Sequence, residues 1–127
     1  MILLTSTSDL IQVITGGALA VDVHASWVDL NAGSVTPGRT NTAISTATTT
    51  TVVASPGAST QRTLKTLVIR NKSVSPDAVT VQHYDGATTV QLIKIAALPS
   101  GSVLSYNEGA GWSVISAAGS LQTVVGT

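Results

Sequence analysis

Residues 41–55, NTAISTATTTTVVAS, carry four consecutive threonines and no charge. Their reading decides whether the chain is one domain or two pieces on a linker. Flexible linkers are rich in Gly and Ser, or in Pro and charge. Here no Gly or Pro interrupts residues 41–54, and Thr and Val favour strands because their branched side chains are stiff at χ1. Residues 42–54 are therefore expected to form one long strand, or two short ones with a kink. Threonine on both faces sets one face against water or a polar partner. Such a strand at a sheet edge invites pairing unless another chain covers it. Thr48 and Thr50 are its candidate contact residues.

Around this stretch, Pro and Gly recur at short intervals: Pro37-Gly38, Pro56-Gly57, Pro76-Asp77, Asp85-Gly86, residues 99–101 and residues 107–111. Each proline reads as part of a turn, where its fixed φ helps and its missing N–H does no harm. Between these marks lie runs of Val, Ile, Thr and Leu. Short strands between evenly spaced turns predict an all-β sandwich or barrel.

Residues 78–95, AVTVQHYDGATTVQLIKI, form the strongest local signal. Asp85-Gly86 favours a two-residue type I′ hairpin turn, which pairs Tyr84 with Ala87. A four-residue loop keeps the same faces together. Either way Val79, Val81, Val90 and Leu92 share a face that is expected to be buried. Residues 102–116, SVLSYNEGAGWSVIS, predict a second hairpin with Tyr106 near Trp112 and Leu104 near Val114. Residues 64–72, LKTLVIRNK, read as a central strand, apolar on both sides. Residues 21–30, VDVHASWVDL, alternate and then change phase near Trp27, which marks a bulge or bend.

The first 20 residues, MILLTSTSDLIQVITGGALA, have only Gly16-Gly17 as a turn mark. They are expected to form an extended arm that packs on the domain or a neighbour, with Ile2, Leu3, Leu4 and Leu10 as contact residues. A helix around residues 8–14 capped by Ser8 is the alternative. The domain proper is placed at residues 21–118, and the small, apolar tail at 119–127.

A chain of 127 residues has the size of one domain and can bury roughly two thirds of its unfolded surface. There is no Phe, and Trp27, Tyr84, Tyr106 and Trp112 are the only aromatics. Short branched side chains suit closely packed sheets. Only 9% of residues are charged and the net charge is zero, which is unlike a disordered chain. It also suits a subunit that buries much of its surface on partners, since charge repulsion keeps monomers apart. The cations Arg62, Lys65, Arg70 and Lys72 cluster, but the acids balance the total, which argues against nucleic-acid binding.

Without Cys there is no disulfide frame or thiolate metal site. No run of 18 apolar residues predicts a membrane span. The N-terminus lacks a basic region, the first Lys or Arg being Arg39, which argues against a cleaved signal peptide.

Chemistry-bearing groups are sparse. Asp22 and His24 share a strand face and could be two metal ligands, but no third is visible; a surface hydrogen-bonding pair is the simpler reading. His83, next to the hairpin turn, reads as an ordinary exposed histidine. No G-x-S-x-G elbow ties a serine to either histidine. The six acids sit mostly in turn-like contexts, not as a facing pair. GGALA and GAGW lack the phosphate-loop pattern, and the Asn71 triplet NKS is a sequon of the kind that arises by chance. No catalytic, cofactor or metal site is expected. Tyr106 and Trp112 read as core filling in preference to a contact platform with Tyr84.

The segment order over residues 21–115 resembles small virion proteins of tailed phages. The resemblance is carried by His24, the Pro37-Gly38-Arg39 segment, the threonine run, Ile69–Asn71, the residues from Val81 to Gly86 and Gly111–Val114. It implies a jelly-roll-like β-sandwich with an extended arm, working as an assembly component. The nearest analogy is with capsid decoration or cement proteins, which sit on the outer shell as dimers or trimers and bridge capsomers. The implied partners are the major capsid protein and other copies of the chain, with no nucleic acid and no membrane. A neck, tail or fibre component, including a receptor-binding module, is the alternative.

Overall fold

The computed structural model describes residues 1–122, all of them strand, turn or loop. In chain order the strands are β1 (Ile2–Leu4), β2 (Leu10–Thr15), β3 (Val21–Asn31), β4 (Ser34–Ile44), β5 (Thr49–Val53), β6 (Gln61–Asn71), β7 (Asp77–Tyr84), β8 (Thr89–Leu98), β9 (Val103–Asn107), β10 (Gly111–Ile115) and β11 (Leu121–Gln122). The larger sheet runs β11-β10-β9-β6-β3-β4, with β1 also paired to β6. The smaller runs β5-β2-β7-β8, and all pairings are antiparallel. Two sheets packed on a shared core make the β-sandwich that the turn spacing predicts. The chain changes sheet at most connections. Hairpins join β3 to β4, β7 to β8, β9 to β10 and β10 to β11.

The core follows from alternation. Ile11 and Val13 of β2 and Val79 and Val81 of β7 point in from the smaller sheet, and the bulge of β5 against β2 buries both Val52 and Val53 beside them. Val21, Val23 and Ala25 of β3, Leu64, Leu67 and Ile69 of β6, and Leu104 of β9 meet them from the larger. β6, flanked by β3 on one side and by β9 and β1 on the other, is the central strand expected of residues 64–72.

The phase change near Trp27 is a bulge between Ser26 and Trp27, where β3 slips one residue against β6. The bulge turns the indole over Gly38, its partner on β4. A Cβ on Gly38 would come within 2.5 Å of the indole nitrogen, so the position admits only glycine without displacing the ring. Pro37-Gly38 is therefore inside a strand, not a turn. Pro37 is tolerated because β4 is an edge strand. The real turn is Ala32-Gly33, both at positive φ (48° and 81°), as a two-residue type I′ turn requires.

The β7–β8 hairpin takes the four-residue loop. The Asp85 carboxylate accepts from the backbone N–H of Ala87 (3.0 Å) and Thr88 (2.7 Å). This side-chain turn holds the wider loop, and only Gly86 takes positive φ. The wider loop alone would set Val81 opposite Leu92, and a bulge beside Val81 moves its partner on to Ile93. Val90 ends up 52% exposed beyond the core, and Leu92 is half-buried. The buried face is Val79 and Val81 with Ile95, flanked by Ile93.

The first 20 residues are extended but are not an arm outside the domain. β2 is an internal strand between β5 and β7, and Leu4 of β1 is completely buried. Gln12 and Ile14 on its outer face disguise this strand as a short amphipathic segment. Between β1 and β2 the buried Asp9 binds the chain back on itself. Its carboxylate accepts from Thr5 N–H (2.7 Å), Ser6 N–H (3.3 Å) and the Ser6 hydroxyl (2.8 Å). Burial works to raise its pKa, but these bonds, with His83 nearby, outweigh burial and hold it below the usual carboxylate value. Of the tail, residues up to Gln122 add a short strand to β10; residues 123–127 lie outside the described residues.

Asn71 is also completely buried. Its amide donates to the carbonyls of Ser75 (2.8 Å) and Leu98 (2.9 Å), and its oxygen accepts from Ser73 N–H (2.9 Å) and the Ser73 hydroxyl (2.6 Å). The sequon asparagine is thus a structural bracket between the β6–β7 and β8–β9 loops.

Two substitutions test this architecture. Leu4→Ala should cost about 2–5 kcal/mol in chemical denaturation, whereas a peripheral arm would lose almost nothing. Asn71→Ala should cost about 3 kcal/mol or more, because it leaves buried backbone groups unpaired; a change below about 0.5 kcal/mol would refute the bracket.

Candidate functional site

Two surface features stand out once the sheets are assembled. The first is the threonine stretch. It crosses from one sheet to the other at residues 45–48, so β4 forms an edge of the larger sheet and β5 an edge of the smaller, side by side. Thr15 pins the crossing from inside. Its hydroxyl donates to the Thr46 carbonyl (2.7 Å) and its N–H to the Thr48 carbonyl (3.0 Å).

Thr48, Thr49 and Thr51 are exposed, while Thr50 is half-buried. On the outer face of the smaller sheet Gln82 donates to Gln12 (2.9 Å), and Gln12 donates to the Thr51 hydroxyl (3.4 Å). No charged side chain occurs from Thr40 to Gln61. Edge strands in monomers are usually guarded by charge, Pro or bulges; here Pro37 and Arg39 guard the first half of β4 and a bulge at Val52 interrupts β5, but no charge guards the rest.

The second feature is a hollow of about 400 Å³ on the outer face of the larger sheet, lined by Asp22, His24, Asn41, Ala43, Val68 and Arg70 among others. Register builds it. Asn41, His24 and Val68 stand in one row across β4, β3 and β6, and Ala43, Asp22 and Arg70 in the next. His24 Nδ1 lies 2.6 Å from Asn41 Oδ1, so this nitrogen carries the proton and donates. Asp22 pairs with Lys72 at 3.0 Å. Sequence alone shows that Asp22 and His24 share a face. It does not show Asn41 or Arg70 beside them, because both depend on where the β3–β4 turn falls and on which strand flanks β3.

The expected contact residues do not form one surface. Leu4 is core, Ile2 packs against the core, and Leu3 is 42% exposed. Leu10 and Tyr84 are half-buried partners on the smaller sheet. Tyr106 and Trp112 do face each other across β9 and β10, with centroids 5.0 Å apart. Tyr106 is only 4% exposed, so the pair is core filling and no platform with Tyr84 exists. His83 donates from Nε2 to the Leu3 carbonyl (3.1 Å), which makes it a clip on β1.

The Tyr106 hydroxyl is buried and faces the backbone of Ile2, without a hydrogen bond of good geometry. Burial raises its pKa above the ordinary tyrosine value and the Glu108 carboxylate adds to this, while the backbone of Ile2 opposes them. The folded protein therefore holds the phenol proton more tightly than the unfolded chain, and stability falls as pH rises above about 10. Tyr106→Phe should keep or raise stability at neutral pH and remove the late-ionising component of an ultraviolet tyrosinate titration. Marked destabilisation would mean that the hydroxyl has a partner after all.

Comparison of the chain with protein-family models, curated proteins and solved structures finds no match in any of the three.

Proposed function

We propose that the chain is a non-enzymatic structural protein of a tailed-phage virion. In this reading it is a decoration or cement subunit on the outer capsid surface. It binds the major capsid protein and its own copies, as a dimer or trimer, and stabilises the shell by bridging capsomers. The observation that carries the reading is the pair of adjacent, uncharged, threonine-bearing edges on β4 and β5. A free strand edge offers a row of backbone donors and acceptors that a neighbouring strand can complete, and nothing along residues 40–61 repels it.

Other features support the same reading. The low charge and zero net charge suit a surface covered by partners. Interfaces that persist under load bury about 2,000 Å² or more, and are apolar. The segment order over residues 21–115 resembles the virion proteins described above. A non-enzymatic role fits the engagement of His83 with Leu3 and of His24 with Asn41. Among the described residues no three His, Cys, Asp or Glu gather to hold a metal ion. The role needs neither nucleic acid nor membrane.

A neck, tail or fibre component is the second reading. It is favoured by the β3–β4 hairpin tip, where Leu30 and Val35 pair across the turn and both stand exposed.

Antibody labelling of intact particles from a phage that encodes the chain separates the two: label over the shell supports decoration, and label at the tail overturns it. Thr49→Lys with Thr51→Lys places charge on the β5 edge without touching the core. The variant should melt like the wild type but lose oligomers in sedimentation velocity and lose binding to shells. Unchanged assembly would remove the edges from the proposal.

A further inference from the structure

We propose that the hollow between β4, β3 and β6 is a binding site for a small carboxylate-bearing polyol, of which a hexuronic acid is the simplest example. The inference is independent of the assembly role and of the β5 edge.

Charge sets the sign of the ligand. Arg62, Lys65 and Lys72 have ion-pair partners in Asp29, Glu108 and Asp22. Arg70, on the wall of the hollow, has none among the described residues, nor does Arg39 one row away on β4. Lys72 offsets Asp22. The local balance is thus cationic, although the chain as a whole is neutral. A guanidinium fork with free donors matches a carboxylate in two parallel hydrogen bonds.

Size and the remaining groups set the rest of the ligand. A volume of about 400 Å³ is far more than one carboxylate fills, and lies in the range of small-molecule sites. The His24–Asn41 bond uses His24 Nδ1 and Asn41 Oδ1. It leaves the Asn41 amide hydrogens as donors and His24 Nε2 free for a further hydrogen bond. Asp22 Oδ2 is held by Lys72, which leaves Oδ1 to accept. Hydroxyls both donate and accept, so a run of ring hydroxyls satisfies these three groups over a floor of Val68 and Ala43. An acidic side chain of a protein would satisfy Arg70 and leave these three groups to water. A phosphate would bring a second negative charge toward Asp22.

The test is a titration of the ¹⁵N-labelled full chain with D-glucuronate, with D-glucose, acetate, phosphate and a glutamate-containing peptide as parallel arms. Saturable shifts centred on residues 22–24, 41–43 and 68–70 are expected with glucuronate. Arg70→Gln should weaken that binding at least tenfold, and Asn41→Ala should weaken it too. Both side chains are exposed, so melting temperatures should stay at the wild-type value. The proposal is overturned by absence of saturable shifts with glucuronate, or by wild-type affinity in Arg70→Gln. Equal response to glucose, acetate or phosphate also overturns it, as does tighter binding of the peptide.

Discussion

The whole architecture depends on a thin core with no phenylalanine in it. Val, Leu and Ile from two sheets meet there, with Tyr106 as its one buried ring. Side chains this short fill the space only if the sheets lie close and every inward row stays in register. A slip of one residue would send a row of methyl groups into water and threonine or glutamine inward. β2 and β6 bear much of this demand: each is paired on both sides, β2 buries alternate residues along its length, and β6 buries Leu64 before its bulge and Leu67, Ile69 and Asn71 after it. The bulges at Ser26 and Val81 mark where the alternation has to be reset to keep apolar residues inside.

A core of this kind cannot close its own ends, and polar side chains do so by bonding backbone. Thr15 holds the crossing of the threonine stretch, Asn71 joins two loops, and Asp9 gathers the turn after β1. At another end Trp27 lies on Gly38 beneath the Arg62 guanidinium, which is 4.5 Å from the ring. Arg62 is itself gripped by both oxygens of Asp29, at 2.8 and 3.0 Å. These groups are buried or half-buried and largely satisfied, so they define the loops without adding charge to the surface. The buried Asp77 accepts from the Gly17 N–H with one carboxylate oxygen (2.9 Å) and keeps the other without a hydrogen bond.

The few charges that remain outside are therefore unevenly spread. One side of the sandwich, built from β4 and β5, has backbone edges and hydroxyls but almost no charge. The outer face of the larger sheet holds Arg39, Arg70, Lys72, Asp22 and His24 in adjoining rows. The first arrangement suits contact with another polypeptide, where hydroxyls and amides can be satisfied by a neighbour's backbone. The second suits a small polar ligand, where fixed donors and acceptors converge over an apolar floor. The two meet at β4, whose free edge belongs to the first and whose Asn41 and Ala43 line the second.

The amino-acid pattern by itself determined the all-β class, the β9–β10 hairpin with its Tyr106–Trp112 pair, the bulge near Trp27 and the strand nature of the threonine stretch. Each is a local matter: alternation, turn chemistry and χ1 stiffness act within a dozen residues. The tertiary structure decided what depends on distant partners. Pro37-Gly38 reads as a turn until Trp27, eleven positions earlier, is seen to need the glycine's empty face. Residues 1–20 read as an arm because β2 finds its partners in β5 and β7, far along the chain. The hollow was half legible: Asp22 and His24 share a face by strand period, whereas Asn41 and Arg70 join them only through cross-strand register. Period belongs to a segment, and register belongs to a pair of segments. The threonines are strand by their own chemistry, but only the order of the two sheets makes them edges.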